Sequence, residues 1–404
     1  MKKRVVVTGL GVVSSIGIGR EDFWKNLLEG KSGISEISGF DTTEFAVHMG
    51  GEVKNFDPSG FFLPKKTASY GRASLLAISA AKLALDDASL GDDYWSKKKV
   101  GVCMGTTMGE TQVIESLNRG WVNSGVESLK PESILSYPAY MLPASISMEF
   151  GFDGPVTIIP NACAAGNFAI GHGYDLIRNS EVDFVLAGGA DAFSKIAFVG
   201  FSRMFAVAPQ KCQPFDKNRS GMIVAEGAAI LVLESLESAL ARGAEIYAEI
   251  AGYGLSCDAR HMTAPYSEGI KEAIESALLE SGIDYQSVDY ISAHGTGTVA
   301  NDKEECLGIK KVFKDNYKNI PISSIKSMLG HSMGAASAIE AVACSLAVKN
   351  DLIPPTINYE TPDPDCDIDC VANRYRQHKV SVALNNASAF GGNNSCLVLK
   401  KYPA

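Results

Sequence analysis

The sequence predicts an α/β protein made of two similar halves, and three observations support that fold class. Helical stretches alternate with apolar, strand-like stretches along the 404 residues, a pattern typical of layered α/β folds. The order helix, strand, small-residue loop occurs once in each half. Each half also closes on an apolar strand. The division falls near Glu245, which predicts an N-terminal half over 1–245 and a C-terminal half over 246–404.

The elements of the two halves correspond in chain order. Short apolar, β-branched runs predict the strands, and longer stretches with apolar residues on one face predict the helices. The first half contains a helix over 74–88, strands over 100–104, 156–159 and 228–233, and the loop 105–109. The second half contains a helix over 269–280, strands over 289–293, from 320, and over 395–399, and the loop 294–298. This correspondence indicates an internal duplication.

The composition is that of an ordinary globular enzyme. Hydrophobic residues make up 46% of the chain and charged residues 21%. The net charge of −9 argues against a nucleic-acid-binding surface. No apolar stretch is long enough to span a membrane. The nine cysteines are an odd number without paired spacing, so we expect reduced thiols in a cytoplasmic protein and no zinc site.

Cys163 occupies the point at which a strand turns sharply into a helix. The apolar run Val156–Ile159 precedes it, and Ala164, Ala165 and Gly166 follow it. The free N–H groups at a helix N-terminus favour thiolate over thiol and can bind a developing oxyanion. The placement predicts a nucleophile, although a free cysteine taken alone is more often a small buried apolar residue.

Two of the six histidines occupy matching positions in the second half. His294 and His331 each follow an apolar, strand-like segment, and each lies beside glycine in a loop of small residues. Glycine permits close approach of a substrate or a backbone. A thiol and two histidines in three such loops form a constellation of the kind used in acyl transfer.

These residues resemble those of the β-ketoacyl carrier-protein synthases, which are condensing enzymes of the thiolase superfamily. The likeness runs nearly from end to end and is close to the elongating type II synthases of fatty acid and polyketide assembly. The motifs that carry it are 4–11, 162–166, 258–263, 294–305, 326–334 and 390–394. The resemblance implies the five-layered αβαβα thiolase fold, with the site between the two halves.

The resemblance also implies two half-reactions at one site. Cys163 takes an acyl group from a thioester, and a malonyl thioester then loses carbon dioxide to give an enolate that attacks the acyl-cysteine. His294 and His331 would stabilise the enolate. Lys326 would set the charge balance beside them, and Glu305 would order Lys326. The implied partner is an acyl carrier protein, and no metal or cofactor is implied beyond its phosphopantetheine.

Further positions follow from the same resemblance. The N–H groups of Cys163 and Phe390 would form the oxyanion hole. The phosphopantetheine arm would bind Thr263, Thr296 and Thr298. Met108 and Phe390 would gate the acyl pocket, although ordinary core packing explains Met108 equally well. An acidic carrier protein would need a locally basic docking patch, for which Lys65, Lys66 and Arg72 are candidates, or these cations form a solvated face.

Departures from the family pattern favour a specialised pathway. The block 388–392 lacks the first of two usual phenylalanines, Met222 and Ser337 replace usual residues, and the segment 208–216 is short, as in polyketide synthases. We therefore expect a type II polyketide or polyene ketosynthase. The alternatives are a housekeeping synthase II of fatty acid synthesis and a subunit that works only in a heterodimer with a chain-length partner. The homodimer is equally compatible with the sequence.

Overall fold

A computed structural model describes residues 2–61 and 70–403 of the chain. Its strands are β1 Val5–Ser14, β2 Gly17–Ile18, β3 Ser35–Glu36, β4 Met49–Gly50, β5 Val100–Gly105, β6 Val156–Ile159, β7 Phe184–Asp191, β8 Gly227–Ser235, β9 Ala248–Cys257, β10 Tyr290–Ser292, β11 Ile322–Ser323, β12 Leu352–Ile353, β13 Arg376–Gln377, β14 Val382–Ser388 and β15 Asn393–Lys400.

The α-helices connect these strands over the two faces of the main sheet. They are α1 Arg20–Leu28, α2 Arg72–Asp87, α3 Asp92–Trp95, α4 Thr111–Ser124, α5 Pro131–Ile134, α6 Met141–Phe150, α7 Ala165–Arg178, α8 Lys195–Arg203, α9 Leu236–Ala241, α10 Ser267–Ser281, α11 Val299–Phe313, α12 Lys326–Leu329 and α13 Ala336–Asn350. The helices and strands predicted for both halves are all present, with ends shifted by a few residues.

The strand order shows the duplication directly. The strands β6, β5, β7, β8 and β1 run across the first half, and β11, β10, β14, β15 and β9 follow the same pattern in the second. In each set the first three strands are parallel and the last two join by antiparallel pairing. The two sets join where Val5, Val6 and Val7 of β1 pair with the first residues of β9.

Three apolar clusters separate the chain into five layers. One packs α2 and α6 on the outer face of the first set of strands, and another packs α10 and α11 on the outer face of the second. The largest cluster surrounds α7 and α13, which lie between the two sets. Helix α13 is buried on all sides from Ala336 to Val348, as expected for a helix covered by sheets on two faces. The predicted αβαβα layering is confirmed.

The layers pack closely where glycine replaces a larger residue. A Cβ on Gly11 of β1 would lie 1.8 Å from the backbone oxygen of Ala80 in α2. A Cβ on Gly166 of α7 would lie 2.7 Å from the backbone nitrogen of Ala338 in α13. Both positions therefore require glycine for steric reasons. The second contact brings the N-termini of the two central helices together.

Candidate active site

Cys163 lies at the meeting point of the two central helices. A 3₁₀ turn over Ala162–Ala164 leads from β6 into α7. Ala162 has a φ of 47°, which is uncommon for a residue other than glycine and marks a sharp, strained turn. Cys163 is nearly buried, with 7% of its surface exposed. The sequence correctly placed the thiol between a strand and a helix.

His294 is held by the helix that follows its loop. The side chain of Thr298 caps α11 by accepting from the Asn301 N–H. From that helix, the Glu305 carboxylate accepts the N–H of His294 at 2.7 Å and the N–H of Gly295 at 2.8 Å. Both carboxylate oxygens of Glu305 therefore fix the backbone of the His294 loop.

His331 is held from two directions. Its N–H donates to the Ile223 carbonyl at 2.6 Å, and its carbonyl accepts the Ala225 N–H at 3.0 Å. Its ring atom Nδ1 accepts the Met333 N–H at 3.1 Å. Met333, like Ala162, begins a 3₁₀ turn before a central helix and has a positive φ, of 53°. The two halves thus use the same turn, one for the thiol and one beside a histidine.

Lys326 lies beneath the histidines with 1% of its surface exposed. Its Nζ donates to the His294 carbonyl at 2.7 Å and forms an ion pair with Glu340 of α13. The expectation that Glu305 orders Lys326 is wrong, because both Glu305 oxygens accept backbone N–H groups and Glu340 is the paired carboxylate. The chain order could not have shown this, since Glu340 lies within an apolar helix far from the motif of Glu305.

The hydrogen-bond partners assign one tautomer to both histidines. His294 Nδ1 lies 3.4 Å from Lys326 Nζ, and an ammonium can only donate. His331 Nδ1 accepts the Met333 N–H. Each neutral ring therefore carries its proton on Nε2. The two rings lie 5.3 Å apart between centroids, at an interplanar angle of 82°.

Burial controls the protonation of the site. It lowers the pKa of His294 and of His331 well below the ordinary 6.5, and the positive charge of Lys326 lowers both further. The two imidazoles are therefore neutral at pH 7. Burial also raises the pKa of Cys163 to about 12, while the Lys326 charge acts in the opposite direction. Burial therefore opposes the thiolate that the sequence predicts, and the Lys326 charge favours it.

A narrow cavity of about 70 Å³ connects these groups to the surface. Its lining includes the predicted residues Cys163, Thr263, His294, Thr296, Thr298, His331 and Phe390. It also includes Phe201 and Ala206, which the sequence did not single out, and His261, Asn301 and Ser388, which lie in the motifs named from the sequence but were given no role there. Met108 is outside this lining, but it packs in one apolar cluster with Phe201, Met222 and Phe390.

Two backbone donors at this cavity have no backbone acceptor. Within residues 2–61 and 70–403, neither the Cys163 N–H nor the Phe390 N–H donates to a backbone carbonyl. The first N–H groups of a helix have no partner inside it, which explains this for the N–H of Cys163. Phe390 lies in the turn between β14 and β15, where Gly391 and Gly392 both adopt positive φ. Such donors suit a developing oxyanion.

Of the three candidates for a basic docking patch, only Arg72 lies within the described residues, and it is paired with a buried carboxylate. Lys65 and Lys66 lie outside the described residues. The guanidinium of Arg72 donates to both oxygens of Glu226, at 2.8 Å and 2.6 Å, and lies over the ring of Phe56. Glu226 is buried, so Arg72 is a structural partner of that carboxylate and is not available as a docking cation.

The described residues contain neither a membrane-spanning helix nor a cluster of metal-binding side chains. None of their helices is long and apolar enough to cross a membrane. In the same part of the chain, no group of three or more His, Cys, Asp or Glu side chains is arranged to hold a metal ion. All nine cysteines are free thiols.

A buried thiol facing two neutral histidines between two matching α/β halves defines a class, the acyl-transferring condensing enzymes of thiolase-like fold. The family comparisons agree with that class. Residues 2–239 match the model for the β-ketoacyl synthase N-terminal domain, and residues 247–360 match the model for the C-terminal domain. The chain belongs to the β-ketoacyl synthase family.

Individual relatives cover the whole chain. It is 41% identical to a 3-oxoacyl-[acyl-carrier-protein] synthase 2 from Synechocystis sp., over 99% of each chain. A solved structure of the ishigamide ketosynthase/chain length factor matches with a TM-score of 0.97 and 46% identity, over 100% of both chains. A type II polyketide synthase ketosynthase, solved in complex with its acyl-carrier protein, matches with a TM-score of 0.93 and 34% identity, over 100% of both chains. The chain is therefore a condensing enzyme of the acyltransferase type.

Removing the buried cation should raise the histidine pKa values. The Lys326 ammonium disfavours a second positive charge nearby, so the Lys326→Met/Glu340→Gln double variant, which leaves no unpaired charge, should bind protons on His294 and His331 at a higher pH. In the wild-type protein both rings should stay neutral at about pH 6, where an ordinary histidine is largely protonated. ¹⁵N NMR of labelled histidines measures this directly.

The matched control for this titration is Lys349→Met. Lys349 lies on the same helix as Glu340, but its Nζ pairs with Glu245 at the surface. This variant should leave both curves unchanged. Identical curves in the wild type and the double variant would show that Lys326 does not control the histidines.

Proposed function

We propose that this chain is the ketosynthase of a type II polyketide or polyene pathway. It condenses an acyl group held on Cys163 with a malonyl group delivered by an acyl carrier protein. The proposal rests on one observation: Cys163, His294 and His331 line the same pocket, and both histidines present Nε2–H to it. The reaction needs no cofactor beyond the carrier's phosphopantetheine, and the free thiols support work in the cytoplasm.

The first half-reaction transfers the acyl chain to the enzyme. Cys163 sulfur attacks the thioester carbonyl, and the resulting oxyanion accepts hydrogen bonds from the N–H groups of Cys163 and Phe390. The carrier sulfur leaves and takes the proton that Cys163 gives up. Burial disfavours the free thiolate and the Lys326 charge favours it, so we expect loss of the Cys163 proton to accompany attack.

The second half-reaction forms the carbon–carbon bond. The bond between the malonyl α-carbon and its carboxylate breaks, carbon dioxide leaves, and the electron pair forms a thioester enolate. The enolate oxygen accepts hydrogen bonds from the Nε2–H groups of His294 and His331. The α-carbon then attacks the acyl carbonyl, Cys163 sulfur leaves, and a proton from water restores the thiol. Neutral histidines suit this step because they donate without protonating the enolate carbon.

The match to a type II polyketide synthase ketosynthase supports the polyketide assignment. The chain is 46% identical to the ishigamide ketosynthase/chain length factor structure and 41% identical to the Synechocystis synthase 2. A housekeeping synthase II remains the alternative function. It is favoured by the match to the Synechocystis synthase 2, which extends over 99% of both chains. Acyl loading from a panel of carrier proteins, measured by mass spectrometry, separates the two by the chains that Cys163 accepts.

The half-reactions should separate by mutation. Cys163→Ala should abolish acyl loading, since Cys163 is the cysteine among the residues described as lining the pocket. His331→Ala should still allow some loading but reduce release of carbon dioxide from malonyl carrier by ~10²-fold or more, the usual scale for a positioned donor. Intact-protein mass spectrometry measures loading, and carbon dioxide release measures the second step.

The control for the loading assay is Cys103→Ala. Cys103 lies in β5, and burial raises its thiol pKa to about 12, as for Cys163, but it does not line the pocket. Loading should survive this change. A folded Cys163→Ala protein that still forms acyl-enzyme would contradict the assigned nucleophile, and normal carbon dioxide release by His331→Ala would contradict the second role.

An apolar face supports a dimer. The strand β6 is the open edge of the first set of strands, and Val156 on it is 45% exposed. Other large apolar side chains are exposed in the neighbouring segment: Trp121, Val122, Ile134, Leu135, Tyr140 and Met148. An exposed apolar edge of this kind is expected to pair with another chain. We assign it to a chain-length-factor subunit, in line with the ishigamide structure, or to a second copy in a homodimer.

A charge on the open edge should prevent assembly. Val156→Lys should yield a smaller species than wild type by size exclusion with light scattering, both alone and with a co-expressed chain-length subunit, because edge lysines block strand pairing. The control is Leu279→Lys, which places the same charge on an 84%-exposed leucine of α10 on the opposite outer layer. Equal assembly of both variants would exclude β6 from the interface.

The mouth of the pocket supports a docking surface for the carrier protein. Phe205 is 92% exposed and lies between Phe201 and Ala206, which both line the cavity. Met262, which is 71% exposed, also lines it. Arg203 and Arg260 are exposed nearby in sequence. An acidic carrier helix with an apolar face fits this rim, because any carrier that delivers a tethered chain through the mouth must cover it.

Truncation of the exposed phenylalanine should weaken docking without changing the chemistry. Phe205→Ala should raise KM for acyl carrier roughly fivefold or more, the effect of losing an aromatic anchor, with little change in kcat. The effect should persist at high salt, whereas the change in KM for Arg203→Ala should shrink there. Leu279→Ala, which removes an exposed apolar side chain far from the mouth, should behave as wild type. A Phe205→Ala protein with unchanged KM would remove the rim from the docking surface.

A further inference from the structure

One buried carboxylate joins two loops of the site that belong to different halves. Asp191, the last residue of β7, is fully buried. Its Oδ1 accepts the Thr106 hydroxyl and the Met108 N–H, both at 2.8 Å. Its Oδ2 accepts the Thr107 N–H at 2.8 Å and the Gly334 N–H at 2.7 Å. The first three donors lie in the loop after β5, and the fourth lies in the turn before α13.

The two loops also touch directly. A Cβ on Gly334 would lie 2.6 Å from the Cα of Thr106 and 2.6 Å from the nitrogen of Thr107, so the backbones are in contact. A Cβ on Gly189 of β7 would lie 2.6 Å from the Gly334 oxygen. Only glycine fits at these positions. The two loops are therefore held together both by this backbone contact and by their shared hydrogen bonds to the Asp191 carboxylate.

Each loop leads to a different functional group. Gly334 is adjacent to Met333, whose N–H donates to His331 Nδ1 and so fixes the tautomer that presents Nε2–H. Met108 packs in the apolar cluster with Phe201 and Phe390. The Asp191 oxygens thus lie between the group that orients His331 and Met108, whose side chain packs against Phe201 and Phe390 of the cavity lining.

We propose that Asp191 is a positioning residue that holds the acyl-pocket loop and the His331 turn in one fixed register. The depth of the acyl pocket and the orientation of His331 then depend on the same carboxylate. This role rests on the proposed function only in that the histidine acts in condensation. Asp191 itself contacts no substrate.

The chemistry requires a carboxylate at this position. Four donors converge on two oxygens, and an ionised carboxylate has about four acceptor sites. Burial raises the pKa of Asp191 to about 6, and the four hydrogen bonds oppose that shift, so the group is still largely ionised at pH 7. An asparagine amide would place NH₂ either against two donors of the loop after β5 or against one donor from each loop, and would weaken the hold on at least one of them.

Two substitutions separate the effect of Asp191 on the loop after β5 from its effect on His331. Asp191→Asn should lower carbon dioxide release from malonyl carrier by roughly 10²-fold, the effect of a small displacement of a catalytic group, and should broaden acyl loading toward longer chains. Thr106→Val removes a donor on the acyl-pocket side alone, so it should broaden the chain profile while carbon dioxide release stays near wild type. The ¹⁵N signals of His331, identified with His331→Gln, should shift in Asp191→Asn and not in Thr106→Val.

The matched control is Glu52→Gln. Glu52 is a buried carboxylate that likewise accepts two backbone N–H groups and a hydroxyl, from Ser38 and Gly39, but it lies outside the pocket. It should leave all three readouts unchanged. A folded Asp191→Asn protein with wild-type His331 signals and chain profile would overturn the proposal. If the wild type decarboxylates no malonyl carrier while Asp191→Asn still moves the His331 signals, the proposed function fails and the positioning role stands.

Discussion

The site depends on the close crossing of the two central helices. Gly166 of α7 meets Ala338 of α13 with no room for a Cβ, and the Asn167 N–H donates to the Ser337 hydroxyl at 3.0 Å. Asn385 of β14 completes the crossing by donating to Asn167 Oδ1 and to the Ser337 carbonyl. Because this crossing is at the helix N-termini, it brings the turn of Cys163 against the turn after His331. Ser337 accepts two of these hydrogen bonds, one at its hydroxyl and one at its carbonyl.

The second constraint is the burial of charge. Lys326 and Glu340 are both almost without solvent contact, and each would be costly to bury alone. Burial lowers the pKa of His294 and His331, and the Lys326 charge beneath them lowers both further. The site therefore combines a buried thiol with two fixed neutral donors.

Carboxylates recur in this structure as backbone acceptors at loops. Glu305 holds the His294 loop, Asp191 joins the loops of Met108 and Gly334, and Glu110 accepts the N–H groups at the start of α2. Each is buried, and burial raises the pKa of each. Buried loops need such acceptors, because an unpaired backbone N–H away from water is destabilising. The precision of the site thus comes from polar groups that take no part in the chemistry.

The sequence by itself indicated the fold class and the duplicated order of helices and strands along the chain, and it placed Cys163, His294 and His331 in loops after strands. Alternation of apolar segments and small-residue loops is a local signal, so each element could be recognised from its neighbours in the chain. The partner of Lys326 was decided only in three dimensions, because Glu340 lies on a helix whose sequence shows core packing alone. The same is true of the thiol pKa, because burial of Cys163 by the packing of the two halves raises it. The donors to Asp191 come from segments more than a hundred residues apart, and only the packing of the two halves brings them to one carboxylate.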